Sequence, residues 1–366
     1  MVMTMAAAEP EGQAVREIRL DDAEVAHLMG EVDAFVASHP HIEVSRTGLA
    51  VPRECREGFY GLLADVRREL ALRVVGESRV RRAGERAHAL LDSRARLVDR
   101  LGLEAYALPS ALEKYCADVL DGGSQGFLTH QLSYVEGRLT ASELGERARA
   151  EIALSFDRLE VAAYEACLAF EALNLLEPTR AYLALTPDAR TVEAVPATRL
   201  ELGYQQYSAT LRLPEAVFEC PSGVVAVRFE LSSEIDFYRS KPLRRRDYSS
   251  GGATQGVVGR RCLLAYRTYS AEAVPLLADR DRSYVMTPTA LLGSWRACDI
   301  DGGVYAKASL ARTLDLAPRK GSFFAMEDDA LEAARELAHT CGVEVGLYGG
   351  GIGGGAAAAF VAALQG

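Results

Sequence analysis

The sequence predicts an α+β chain: an N-terminal helical bundle, then a mainly antiparallel β-sheet unit that ends in a strand, a glycine loop and a helix. Three observations predict it. Between Asp21 and Glu177 apolar residues recur at helical spacing and proline is scarce. Beyond Pro178 the period falls to two, with β-branched and aromatic residues clustered between turn signals. Finally, Gly349 to Gly355 separates a short apolar run from an alanine-rich terminal segment. The division expected from these patterns is a flexible tail over 1–20, a helical domain over 21–177 and a β-rich domain with C-terminal helices over 178–366.

Each helix has a local cause. Asp21 and Asp22 can cap a helix running to about Ser38, and His39-Pro40-His41 stops it because the residue before a proline disfavours the α region. From Pro52 to Val75, Phe59, Leu62, Leu63, Val66, Leu70 and Val74 fall along one stripe, with Pro52 near the first turn, where its missing N–H costs little. A helix from Ser78 to Leu101 sets Val80, Ala83, Ala87, Leu90, Leu91, Leu97 and Val98 against a solvated face rich in arginine. Ser110-Ala-Leu-Glu113 and Thr140-Ala-Ser-Glu143 both match the capping box, in which hydroxyl and carboxylate satisfy each other's backbone N–H groups. The longest helix is expected from about Ser142 to Leu176, closed by Pro178.

The strands predicted after Pro178 are Ala181–Leu185, Thr191–Val195, Arg199–Tyr204, Ala209–Leu213, Ala216–Cys220, Val224–Leu231, Ile235–Arg239, Arg261–Tyr269, Tyr284–Thr287, Trp295–Ile300 and Val304–Ser309. Thr186-Pro-Asp-Ala189, Pro221-Ser-Gly223 and Asp301-Gly-Gly303 read as tight turns between neighbours. Ser240 to Gly256 reads as a charged loop with little to bury. The chain then offers a helix over Glu327–Cys341, a strand over Val343–Tyr348 and, past the glycines, a helix over Ala356–Leu364.

Composition bounds the function. A formal net charge of -10 argues against a surface that is, as a whole, an electrostatic match for nucleic acid or anionic lipid. The seven cysteines are widely spaced without a C-x-x-C pair, and read as small buried residues in a reducing compartment. No basic residue precedes Ala6-Ala7-Ala8, and no apolar run approaches the ~18 residues of a membrane span. The expectation is a soluble, cytoplasmic chain with a frayed N-terminal tail.

Three groups of residues could carry chemistry. By strand alternation Arg199 and Glu201, Thr210 and Arg212, Arg228 and Glu230, and Glu234 and Asp236 point away from the apolar residues beside them. If that face is enclosed, Arg228, Glu230, Arg212, Glu201 and Asp236 line a charged pocket fit for acid–base work. If it faces water, the same residues are cross-strand ion pairs of small value. The second group is the glycine loop, where Gly349, Gly351, Gly353 and Gly354 let backbone N–H groups and a helix N-terminus approach an anion. The plain alternative is that these glycines permit a tight turn and close packing of the terminal helix. The letters fit G-x-G-x-x-G, but no second strand or acidic residue follows within the chain and no Lys-Ser/Thr completes a P-loop.

Arg244 and Arg245, in Lys241-Pro-Leu-Arg-Arg-Arg246, could grip the phosphates of a cofactor or of a nucleic acid. The arginines over 79–100 alternate with Glu85, Asp92 and Asp99, the pattern of a salt-bridged helix. Metal ligation has little support: His39 and His41 flank a proline, and His130 and Glu136 are turned apart on a helix. Three functions follow, in descending order. The first is an enzyme or binding protein for a small molecule bearing a phosphate or carboxylate. The second is an interaction or assembly protein forming homo-oligomers or binding another chain, and the third is nucleic-acid binding through the loop at 240–247. The residues do not identify a cofactor.

Overall fold

The computed structural model describes residues 20–45, 48–185, 193–202, 214–229, 235–236, 241–242, 260–268, 288–295, 318–326, 331–340 and 345–366. In chain order the first elements are α1 (Asp22–Ser38), β1 (Glu43–Ser45), β2 (Gly48–Ala50), α2 (Arg53–Val75), α3 (Glu77–Leu101), β3 (Ala105–Ala107), α4 (Ser110–Ala117), α5 (Val119–Ser124), α6 (Leu128–Val135) and α7 (Ala141–Arg147). A π-helical turn, Ala148–Ile152, leads into α8 (Ala153–Leu175). The rest is β4 (Arg180–Leu185), β5 (Glu193–Pro196), β6 (Arg199–Glu201), β7 (Ala216–Cys220), β8 (Gly223–Phe229), β9 (Ile235–Asp236), β10 (Lys241–Pro242), β11 (Arg260–Thr268), β12 (Ala290–Trp295), β13 (Ser322–Met326), α9 (Leu331–Thr340), β14 (Gly346–Tyr348) and α10 (Ala356–Gln365). The chain is therefore α+β, with a helical region followed by a mostly antiparallel sheet and a C-terminal helix. No helix among the described residues is long and apolar enough to cross a membrane.

Met1–Ser78 and Gly126–Ala153 form one compact unit, and Arg79–Gln125 with Leu154–Gly366 forms the other. In the first, Asp21 caps α1 by accepting the Glu24 N–H at 2.8 Å. Val25, Met29 and Val32 are its buried stripe, while α2 buries Phe59, Leu63, Val66 and Leu70 as its spacing predicts. Gln131 of α6 is buried and donates to the Leu63 carbonyl at 3.0 Å, which ties α6 to α2. Thr140 and Glu143 form the capping box at the start of α7.

In the second unit the sheet has eight strands in the order β14-β13-β12-β11-β8-β7-β4-β5. β12, β13 and β14 run parallel, and every other pairing in this sheet is antiparallel. One face packs beneath two helices. Phe229 lies 6.4 Å from Phe170 of α8, and Phe323 lies 6.4 Å from Phe360 of α10, measured between ring centres. The opposite face carries a buried cluster that includes Val217, Ala226, Leu264, Tyr266, Leu291 and Phe324. Burial on both faces suits helix α8, which is apolar nearly all round and hides Phe156, Leu159, Phe170 and Leu173 together with two carboxylates, Glu160 and Glu165.

Several expectations shift by a few residues, each for a physical reason. The helix predicted to begin with a Ser110 cap instead has Pro109 at the cap position, and Ser110 is its first residue. The Glu113 carboxylate accepts the Leu108 N–H at 3.2 Å, so the box-like spacing is used by a different backbone group. A strand not expected from the sequence covers Ala290–Trp295, and of the strand predicted over Trp295–Ile300 all but Trp295 lies outside the described residues. β13 is absent from the sequence reading because Ser-Phe-Phe-Ala-Met, mostly buried and flanked by parallel partners, shows no period-two alternation. The strand expected at Arg199 pairs in parallel with β3, in a two-stranded ribbon outside the large sheet. Residues 1–19, the turns at Thr186 and Asp301, the strands over Ala209–Leu213, Tyr284–Thr287 and Val304–Ser309, and most of the 240–256 loop lie outside the described residues.

Candidate functional site

Arg228 decides between the enclosed and the open face, because it is only 7% exposed. It alternates with Val224 and Ala226 along β8 and stands opposite Leu264 of β11, so its face is the buried cluster of the sheet. Glu201 is half-buried on β6, opposite Ala107 of β3, in the separate ribbon. Asp236 pairs through its backbone with Lys241 in a third, two-stranded piece formed by β9 and β10. Arg228, Glu201 and Asp236 thus sit in three different sheets, and the structure does not string them along one surface. Glu230, Arg212, Arg244 and Arg245 lie outside the described residues.

The glycine loop stands where the sequence puts it, between β14 and α10, at the carboxyl end of the parallel strands. Gly350, Gly351 and Gly355 have φ of 79°, 61° and 88°, in the left-handed region that glycine tolerates. Gly351 is buried and Gly353 is exposed. Gly355 caps α10 with no side chain on its first turn. This geometry serves close packing first: the Gly354 N–H bonds the Gly351 carbonyl at 3.2 Å, and Gly354 presses against the Gly349 carbonyl.

The other end of the same parallel strands holds a groove of about 670 Å³ between β13, β14 and α9. Lys320, Arg335 and His339 reach it from its margins, and among the described residues that line it none is acidic. Ala338, Val345 and Leu347 supply its apolar wall, and Phe323, whose ring packs on the other face of the sheet against Phe360, borders it at the strand end. Ser322 lies in its floor, with a buried hydroxyl that has no hydrogen-bond partner among the described residues. Orphaned buried hydroxyls are uncommon, and a bound polar group is one way of satisfying them. Arg335 gives one N–H to Glu332 Oε1 at 2.9 Å, which spends one of the five donors of a guanidinium.

These groove residues were not singled out in the sequence, although part of the signal was there. Arg335 and His339 are four apart on a predicted helix and so share a face. Lys320, in the turn Pro318–Gly321 ahead of an unrecognised strand, gave no such clue.

The arginine-rich helix α3 is occupied in another way. Glu160 of α8, 5% exposed, accepts from Arg79 at 2.8 and 3.0 Å and from Arg86 at 2.8 Å. Arg79 also bonds Asp157, Arg94 pairs with Glu113, and Arg96 pairs with Glu171. The partners lie on α8 and α4, so the alternating charges of α3 hold the second unit together. On α8 a further carboxylate, Glu165, is fully buried and accepts the Ser294 hydroxyl of β12 at 3.3 Å. Among the described residues no group of three or more His, Cys, Asp or Glu side chains could hold a metal ion.

The fold and the groove define a class no narrower than an α+β protein with a basic, partly apolar cleft at the amino ends of parallel strands. Comparison of the chain with protein-family models, with curated proteins and with solved structures finds no match in any of the three.

Proposed function

We propose that the chain is a binding protein or enzyme for a small molecule bearing a phosphate or carboxylate, held in the groove between α9 and the β13–β14 pair. One observation carries the reading: a chain of net charge -10 gathers Lys320, Arg335 and His339 around one groove, with no acid among the described residues of its lining. Such a local reversal of charge raises the concentration of anions at the groove and steers them in. The guanidinium of Arg335 can present paired N–H groups to a carboxylate or phosphate, whereas Lys320 contributes a mobile point charge. The volume of about 670 Å³ lies within the range of small-molecule sites.

The groove is preferred to the pocket imagined around Arg228 because Arg228 is hidden from solvent. It is preferred to the glycine loop because packing already accounts for the glycines there. Exposed ion pairs are worth roughly 0.2–1 kcal/mol each, so the charges alone support millimolar rather than tight binding.

The test is calorimetric titration of the full chain with inorganic phosphate, glycerol phosphate, nucleotides and simple carboxylates at low salt. At least one should bind, its affinity should fall as salt rises, and Lys320→Glu with Arg335→Glu should weaken it ten-fold or more while the circular dichroism spectrum stays unchanged. Absence of heat with every member of the panel would overturn the reading, as would a double variant that binds as well as the parent chain.

A further inference from the structure

Resting on that reading, we propose that the ligand is amphipathic: an acidic head on an apolar, medium-length body, with the head at Lys320 and Arg335 and the body along Ala338, Val345 and Leu347. The groove is divided in this way by its own residues. The basic side chains are exposed at its margins, while Val345 and Leu347, side by side on one face of the sheet, are only half-buried and leave apolar surface facing the cleft. Val345 and Leu347 also pack against the buried cluster of the sheet, so the wall they form is anchored to the core and not to a side chain free to swing.

A polyol or nucleotide phosphate would set hydroxyl groups against that wall with few partners for them. Among the described residues of the lining, Ser322 is the polar side chain beside the three basic groups, and its hydroxyl is buried. A hydroxyl desolvated without a partner is penalised, whereas a methylene in the same place gains by leaving water. Inorganic phosphate or acetate, for its part, would leave most of the 670 Å³ to solvent. Charge complementarity therefore selects the head, and the wall selects the body.

The experiment is a homologous series titrated into the full chain: acetate, butanoate, hexanoate and octanoate below their aggregation concentrations, with inorganic phosphate and glycerol phosphate beside them. The inference expects each added methylene to tighten binding by about two- to four-fold until the wall is covered. It also expects a heat-capacity change that grows more negative along the series. Both readouts use the unmodified protein, so no variant that might fail to fold is needed. Lys320→Glu, on the exposed margin, should weaken every member of the series by a similar factor. If phosphate and glycerol phosphate bind while the carboxylates show no gain with length, the anion reading stands and the amphipathic ligand is wrong. If nothing binds, both fall together. A length-dependent affinity that is unchanged in Lys320→Glu would put the apolar ligand elsewhere and overturn the inference.

Discussion

A Cβ added to Gly354 would lie 1.5 Å from the carbonyl oxygen of Gly349. No rotamer change relieves such a contact, because both parties are backbone. Gly353, one residue earlier, has no atom within 4 Å of its own added Cβ. Gly354→Ala should therefore force the loop open and destabilise the fold by roughly 2–4 kcal/mol, while Gly353→Ala should stay within about 0.5 kcal/mol of the parent. Urea unfolding of the two variants measures the contrast. Equal midpoints would mean that the turn before α10 is not held as described.

The ion pairs of α3 offer a second test. Glu160 joins Arg79 and Arg86 from inside the second unit, and its carboxylate is almost wholly removed from water. Glu160→Gln keeps the shape and removes the charge, leaving two half-buried guanidinium groups facing a neutral amide. Breaking a buried pair from one side costs about 3–5 kcal/mol, and because the arginines keep some solvent the loss here should be nearer 2–3 kcal/mol. Asp157→Asn, whose own side chain is half exposed, should cost under about 1 kcal/mol. A smaller loss for Glu160→Gln than for Asp157→Asn would contradict the assignment.

Alkaline pH should weaken the fold through two buried thiols. Burial pushes Cys116 and Cys167 from the ordinary thiol value of 9.0 up to about 12. Between those values the unfolded chain has released protons that the folded chain keeps, so stability falls as pH rises. The contribution is whole below pH 9.0 and is lost progressively towards about 12. Its slope is at most ~1.4 kcal/mol per pH unit for each thiol. Urea midpoints at pH 8 and pH 10.5, compared between the parent and Cys116→Ala with Cys167→Ala, should show the steeper decline in the parent. Native Cys116 and Cys167 should also resist alkylation at pH 8 until the chain unfolds.

What the residues disclosed of this architecture follows from how each element is buried. The hairpin of β7 and β8 was readable because Pro221-Ser-Gly223 marks the turn and the flanking Val and Phe residues mark the strands. β13 was not, because neighbours on both sides and cover on both faces erase the alternation on which a strand is recognised. Arg228 misled for a related reason: alternation gives the face a residue points to, but not whether that face is wet. The groove assembles Lys320 from a turn with Arg335 and His339 from a helix, and their convergence depends on the parallel pairing of β13 and β14. That pairing is a tertiary fact without a local signature, whereas the glycine loop is contained within one stretch of chain and carries its signature there.

The two capping-box matches give the final prediction. Both Ser110-Ala-Leu-Glu113 and Thr140-Ala-Ser-Glu143 have the letters, yet only the second has the bonds. Thr140 Oγ1 accepts the Glu143 N–H at 3.3 Å, and Glu143 Oε2 accepts the Thr140 N–H at 2.8 Å. Ser110 is an exposed first-turn residue behind Pro109, which makes no side-chain cap and has no N–H to satisfy. Thr140→Ala should cost about 1 kcal/mol, and Ser110→Ala should leave stability within about 0.5 kcal/mol of the parent. Glu113→Ala should cost more than Ser110→Ala, because its carboxylate holds both the Leu108 N–H and Arg94. Thermal or urea unfolding of the three variants measures the order directly. A Ser110→Ala loss as large as that of Thr140→Ala would mean that α4 begins one residue later than described, with Ser110 as its cap.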